Sequence, residues 1–593
     1  MAKIRNVASG YSTRVFATLT SSKKTVYMTN KFAMHADALD SYYDGTLSMM
    51  NAFVTTKNAD NDTYTFKKML EEEDRVDFVQ AMMGELEDHN KRGHWIIMDR
   101  NQMPSNTKTI MSIWSFKRKR FPDGRVMKHK ARICAHGGQQ IFGVNYWDTY
   151  SPVVNWISVR LLLTICHLYK LESESIDFVL AFPQAELEVD IYMEIPQGME
   201  VEGGKGSQVL KLVKNLYGLK QASHNWYTMI KKGLLDRGFE SSEADPCMFI
   251  KQDMVVVLYV DDMIVVGKKK EEIDDLYKSL IEGDESFKLT KEGKIDKYLG
   301  VELVDDGTGS FEARQPHLIQ RIIRAAGLKA TLTNARPTPA SLPLLHKDSE
   351  GTKRKYEWSY RAIVGMLNYL TGSTRPDLAM AVHQVARFSN DPKLSHEKAV
   401  IRIIRYLIDT PDNGMVFNPR KELGLELFVD ADFAGNWKNA SEDHPENCMS
   451  RTGFLIRYQG CNIYWKSKLQ TEITLSTAEA EYVALSQSLR SALPVVNTLT
   501  DLHKVFPQID IPTPKFYITV HEDNTSAILM AESEKFTQRT KHITLKYHWF
   551  KKFVTEGMIK IRHISTKDQL ADIFTKPLDE VTFKRLRKKI CGY

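Results

Sequence analysis

Cysteine is scarce and scattered. The 593 residues hold six (Cys134, Cys166, Cys247, Cys448, Cys461, Cys591), none of them in a Cys-x-x-Cys pair. This argues against a zinc ribbon or a disulfide scaffold and fits a reducing compartment. Long hydrophobic runs are missing too: no stretch approaches the ~20 apolar residues of a membrane span. Lys3 and Arg5 are followed by no apolar core, so the start does not read as a secretory signal. No internal repeat or low-complexity tract is visible. Charge of one sign is only mildly in excess, at +7, much of it in Lys584, Arg585, Arg587, Lys588 and Lys589. Such a balance permits a polyanionic partner without requiring one.

The length is too great for one core, and roughly three or four domains are expected. The most informative feature is the pair Asp261-Asp262, set between Val255–Val260 and Met263–Gly267. These β-branched, apolar flanks read as two strands buried on both faces and joined by a tight turn. Two adjacent buried carboxylates repel each other unless a cation compensates them, and an oxygen-ligand divalent metal does so best. An exposed Asp-Asp hairpin turn is the plain alternative. Asp177 is a candidate third ligand, carried on a predicted strand that can lie beside the first two. Three carboxylates of this kind can hold two cations across a phosphoryl transfer. By itself Asp177 would be an ordinary strand-end residue or helix cap.

A second acidic set follows Asn413-Gly414. Asp430 and Asp432 end a strand that begins near Leu425, Asp523 ends another, and Asp572 falls in a late helix. Ser476 and Glu479 have capping-box spacing, which accounts for Glu479 and leaves Glu481, on another face, as the better site candidate. Elsewhere helices are expected near 76–90, 155–170, 222–237, 316–327, 360–370, 378–389 and 396–409. A Pro-, Thr- and Ser-rich linker is expected over 332–350. Lys117 to Arg120, beside Trp114 and Phe116, read either as template-phosphate contacts or as a solvated hairpin edge. The C-terminal basic cluster reads as a phosphate-contacting tail, an import signal or a solvated helix end. His542 and His548 lack partners at zinc spacing.

In order and spacing, Lys130-Ala131-Arg132, Ser151 to Val154, Asp177 to Phe182, Leu216 to Ala222, Tyr259 to Asp262 and Tyr298 to Gly300 resemble the reverse transcriptase of copia-type LTR retrotransposon Pol polyproteins. The resemblance implies a polymerase with fingers and palm over 63–305 and a largely helical thumb or connection over 306–420. Asp177, Asp261 and Asp262 would be its metal-binding triad. Lys130 and Arg132 would lie near the triphosphate, and Phe182 beneath the incoming sugar. Tyr217, Gly218, Lys220 and Gln221 would pack on the nascent base pair, Tyr259 beside the triad, and Tyr298 to Gly300 at the primer end. The chain departs from the family pattern at Pro183-Gln184-Ala185, where Asn-Gly is usual, and at Ser223, where Pro is usual.

Val429 to Gly435, Arg451-Thr452-Gly453, Trp465 to Lys468, Ser476 to Leu485, Asp523 to Ile528, Arg539 to Ile543 and Gln569 to Leu578 resemble the RNase H domain of the same polyproteins, with Phe433 in place of the usual Trp. The resemblance implies an α/β RNase H-like domain over 421–578, with Asp430, Glu481, Asp523 and Asp572 as its catalytic and metal-binding set. Residues 579–593 would form a basic tail, and 1–62 an extension of unassigned fold. The expected fold class is thus a multidomain α+β palm-type polymerase followed by this domain.

Also implied are two Mg2+ ions per site, with Mn2+ as a substitute. The expected partners are an RNA template, a DNA primer, RNA–DNA hybrid and deoxynucleoside triphosphates, with no membrane. Location would be cytoplasmic, in virus-like particles, or nuclear, and not secreted. No protease triplet, zinc knuckle or integrase head is present, so the chain reads as a processed product or a truncated copy. The protease, integrase and capsid segments then become possible partners. The rival reading is a decayed or domesticated element that binds nucleic acid without catalysis. A DNA-only polymerase is disfavoured by the appended hybrid-cleaving unit.

Overall fold

A computed structural model describes residues 62–120, 125–201, 203, 206–283, 285–328, 336–441, 444–509, 518–533, 543 and 545–593. The 1–62 extension (but for its last residue), residues 121–124, the first part of the 332–350 linker, Arg539 and His542 lie outside the described residues.

At the N-terminal end, helix α1 (Arg75–Lys91) lays Phe78, Met82 and Leu86 against a hairpin of β1 (Ser112–Arg120) and β2 (Val126–Ala135). The i, i+4 spacing puts these side chains on one stripe. The hairpin ends at Ala135. Beyond it the backbone turns through a short 3-10 segment (Gly137–Gln139).

Helix α2 (Trp156–Tyr169) leads into β3 (Glu172–Phe178), and helix α3 (Ala222–Asp236) precedes β4 (Met254–Tyr259) and β5 (Asp262–Gly267). With β6 (Leu289–Gly293) these strands form an antiparallel sheet in the order β6-β3-β5-β4, extended by Met248–Lys251 and Glu240–Ser241. Period-two alternation decides its faces. Val255, Val257, Ile264 and Val266 join the core shared with α2, while Val256, Leu258, Met263 and Val265 join the one shared with Trp226, Ile230 and Leu234 of α3.

The expected division at 305/306 falls inside a hairpin. Val301–Asp305 pairs with Phe311–Arg314, which in turn pairs with Met415–Phe417. Backbone pairing outweighs the composition change there, because cutting the hairpin would leave its hydrogen bonds unmade. The region that follows is largely helical and includes α4 (Ala379–Ala386).

The C-terminal unit is a five-stranded mixed sheet of β7 (Leu425–Asp432), β8 (Arg451–Tyr458), β9 (Cys461–Leu469), β10 (Ile518–Glu522) and β11 (Ile559–His563), in the order β9-β8-β7-β10-β11. β7 runs antiparallel to β8 and parallel to β10. Helix α5 (Thr477–Val505) crosses this sheet. One hydrophobic core runs unbroken from α2 through the central helices to this sheet. Buried Arg160 on α2 spans the junction, donating to Ile463 O at 2.9 Å and Ser373 O at 3.1 Å with its guanidinium over Trp465.

The expected basic tail is instead a docked helix, α6 (Glu580–Cys591). Its Phe583, Leu586, Ile590 and Cys591 are buried, Lys584, Arg585, Lys588 and Lys589 are exposed, and Arg587 turns in to donate to Tyr406 Oη at 3.1 Å. Amphipathic spacing, hidden by the high density of Lys and Arg, gives it a place to pack. Tyr593 reaches the fully buried Arg375–Asp377 pair, where Asp377 also accepts from Tyr406 at 2.6 Å. Deleting 580–593 exposes several large apolar side chains at about 1.5–3 kcal/mol each. The expected outcome is a fall in melting temperature large enough to leave the chain aggregated at 37 °C, read by thermal unfolding and solubility.

Candidate active sites

Asp262 opens β5 and pairs directly across from Asp177 near the end of β3, so both side chains leave the same face of the sheet. Tyr259 pairs with Asp262, making Val260-Asp261 a two-residue turn. Val260 takes a left-handed backbone (φ 56°), unfavourable for a β-branched residue. The turn is held from both sides: Trp226 Nε1 donates to Val260 O at 2.5 Å, and Phe178 N to Asp261 O at 2.9 Å. Burial, then the Asp261 and Asp177 charges, push the Asp262 carboxyl up to about 7. Asp177 is raised by burial and then by Asp261. Asp177 and Asp262 thus stand side by side where burial and neighbouring charge disfavour their ionisation, which suits a cationic occupant, although the oxygens of Asp177, Asp261 and Asp262 do not all gather within 4.8 Å of one another.

The β1/β2 hairpin places its cations by strand alternation. Lys117 lies opposite Lys130, Lys119 opposite Lys128, and Ser115 opposite Arg132, which gathers the basic residues on one face. Lys119 and Lys130 act electrostatically on Asp177. Burial, then Arg132 and Lys119, lower Lys130. Arg118 lies on the other face, bound to Asp74 (2.5 and 2.6 Å) and Glu72 (2.6 Å), and so is a structural clamp rather than a phosphate contact.

Arg132 stacks on the Tyr217 ring at 4.0 Å, and Tyr217 meets Phe182 at 5.0 Å between centroids, forming a short ladder. Gly218 (φ 94°) lies so close to Ala135 that a Cβ would strike the Ala135 carbonyl oxygen. Gly218→Ala is therefore expected to destabilise by about 2 kcal/mol or more, read as a shifted denaturation midpoint. Lys220 Nζ donates to Tyr146 Oη at 3.0 Å, and Gln221 accepts from Gln140 at 2.9 Å. These two residues brace the loop rather than face open space. Tyr259 packs partly buried beside the triad.

In the C-terminal unit Asp430, Glu481 and Asp523 converge: one ligand atom from each lies within 4.8 Å of the others. Asp430 comes from β7 and Asp523 follows the parallel β10, so both stand at the carboxyl ends of adjacent parallel strands, where open α/β sheets present their crevice. Glu481 reaches in from α5. Glu479 does not: it accepts from Leu475 N at 2.7 Å while Ser476 Oγ accepts from Glu479 N. The cap thus reaches one residue further back than a standard capping box. Asp572 lies nearby in a 3-10 turn, paired with Lys576 at 2.8 Å, and Thr575 donates to both Asp430 and the Asp572 carbonyl. Burial raises Asp430 against the opposing charge of Lys576, and Glu481 is raised by burial first and then by the Glu522 charge. Glu481 Oε2 is buried with no hydrogen-bond partner. An acidic trio with two members buried, one of them carrying an orphaned oxygen, fits a hard divalent cation.

Residues 95–340 match the family described as reverse transcriptase (RNA-dependent DNA polymerase). The chain is 32% identical over 547 residues to the Retrovirus-related Pol polyprotein from transposon TNT 1-94 of Nicotiana tabacum, covering 90% of this chain and 39% of that protein. It is 30% identical over 491 residues to the transposon RE1 Pol polyprotein of Arabidopsis thaliana, covering 82% and 32%. Residues 95–340 belong to the copia-type reverse transcriptases. The chain spans only about a third to two fifths of these relatives' length. A solved structure described as foamy viral protease-reverse transcriptase dRH in complex with ds DNA overlays with TM-score 0.41 at 10% identity, over 82% of this chain and 69% of that one, too loosely to carry weight.

Within this reverse transcriptase domain the sequence reading missed Gln140 and Tyr146, which hold Gln221 and Lys220. In the C-terminal unit it missed Glu522, buried and raised by burial, whose charge is the largest influence on Glu481 after burial itself. It also missed Thr575 and Lys576. Strand alternation was the available signal for Glu522, which shares the buried face of Ile518 and Val520, and Lys576 adjoins the Asp572 motif.

Proposed function

We propose that the chain is an RNA-directed DNA polymerase with a C-terminal RNase H activity, each centre working by divalent-metal phosphoryl transfer. The polymerase reading is supported most by the pairing of Asp177 with Asp262 beside Asp261 in a domain of reverse transcriptase kind. Asp177, Asp261 and Asp262 would hold the metals of the first site, and Asp430, Glu481, Asp523 and Asp572 those of the second. Mg2+, when bound, supplies Lewis-acid stabilisation of the attacking and leaving oxygens.

The residues of the chain itself orient the substrates. Arg132 and Lys130 place positive charge where a triphosphate would lie. The stacked Arg132, Tyr217 and Phe182 side chains would offer a surface for the incoming nucleotide. In the second site Lys576 offsets part of the carboxylate charge. The RNase H reading rests on the convergence of Asp430, Glu481 and Asp523. The substrates would be deoxynucleoside triphosphates, an RNA or DNA template with a DNA primer, and RNA–DNA hybrid.

The test is extension of a labelled DNA primer on an RNA template by the purified chain with Mg2+, alongside Asp261→Asn. Extension lost in the variant supports the reading, and equal signals from both chains sink it.

A further inference from the structure

Arg451, at the start of β8, is only 4% exposed. Its Nη1 reaches His383 Nδ1 at 2.9 Å and Ser467 Oγ at 3.2 Å, while its Nη2 has no hydrogen-bond partner. Among the described residues no carboxylate lies within ion-pair distance of it. Its cross-strand neighbour is Asp432, but that carboxylate is turned over Gly435, where a Cβ would overlap it. His383 supplies no negative charge, and burial together with Arg451 and Arg387 keeps it neutral. A guanidinium withdrawn from water without an anion costs several kcal/mol.

The missing anion has room. Arg451 lines a cavity of about 160 Å3, the space of about five waters. Around it stand Asn436, Lys438, Asn439 and Lys576, with Asp432 as the acid. Thr575, in the same wall, donates to Asp430 of the second carboxylate site, so cavity and site share a wall.

The geometry points to a phosphate subsite in which Arg451, Lys438 and the two asparagines hold one backbone phosphodiester of the nucleic acid entering the second carboxylate site. This rests on the reading of that site as a hybrid-cleaving centre. A guanidinium and amide donors match phosphate oxygens, and Lys438 at the rim brings a second positive charge.

The full chain is titrated by fluorescence anisotropy, in Ca2+ without Mg2+, with RNA–DNA hybrids carrying one neutral methylphosphonate linkage at successive positions. The expected result is one position whose neutralisation weakens wild-type binding about tenfold and leaves Arg451→Gln unaffected, because that variant has already lost the contact. Lys438→Gln, on the exposed rim, should show a smaller loss at the same position, and it decides the matter if Arg451→Gln does not fold. A flat scan overturns the subsite. So does a flat scan in which inorganic phosphate raises the melting temperature of wild type but not of the Arg451 variant, since the pocket would then serve the free ion. Hybrid cleavage by wild type in Mg2+ is scored separately: its absence sinks the nuclease reading, whereas cleavage with a flat scan sinks only the subsite.

Discussion

Asp262→Asn is expected to lower primer extension about a thousandfold or more while making the metal-free chain more stable above pH 7. The two effects have one cause. Burial and the Asp261 and Asp177 charges hold the Asp262 carboxyl up to about 7, whereas an unfolded aspartate titrates near 4. Between about pH 4 and 7 the native state keeps a proton that the unfolded chain has released. Native stability therefore declines as pH rises through that window and levels off above it. Asparagine removes the penalty, worth about 1–3 kcal/mol once residual solvent is allowed for. Melting curves at pH 5 and pH 8 in EDTA check this: the advantage of the variant over wild type should be small at pH 5 and clearly larger at pH 8. A variant less stable than wild type at pH 8 would mean that the carboxylate is structural.

Glu481→Gln carries the second large expectation: loss of RNA cleavage in a hybrid by about a thousandfold or more, with primer extension retained. Glu481 is buried, raised by burial and by the Glu522, Asp430 and Asp523 charges, and has an oxygen with no hydrogen-bond partner. A gel assay resolving extended primer from shortened RNA reads both activities in one reaction. Parallel loss of both would mean that the substitution acts through the shared core rather than at the site. The raised carboxylates of both sites also predict how added metal acts. Protons and cations compete for the same oxygens, so Mg2+ or Mn2+ should raise the melting temperature clearly at pH 8 and little at pH 5. The Asp262→Asn/Glu481→Gln double variant should respond weakly at either pH.

The pairing of Asp177 with Asp262 and the convergence of Asp430, Glu481 and Asp523 were legible because acids stand out against apolar flanks. Val255–Val260 and Met263–Gly267 announce strands covered on both faces, and acids between them need compensation. Period-two alternation likewise foretells which valines enter which core. Glu481 was separable from Glu479 by helix geometry, since 200° of rotation turns one toward the cap and the other toward the sheet.

The sequence by itself determined the elements and the chemistry they bear: strand and helix periodicity is local, and so is the cost of an unpaired acid. Only the tertiary structure decided which elements meet. It set Asp177 against Asp262, turned Arg118 inward to Asp74 while its neighbours kept the open face, closed the 305/306 hairpin, and docked α6 on Arg375 and Asp377. It also buried Arg451 without a counter-charge. Each of these depends on pairings between residues far apart in the chain, whose energies belong to the contact rather than to either partner.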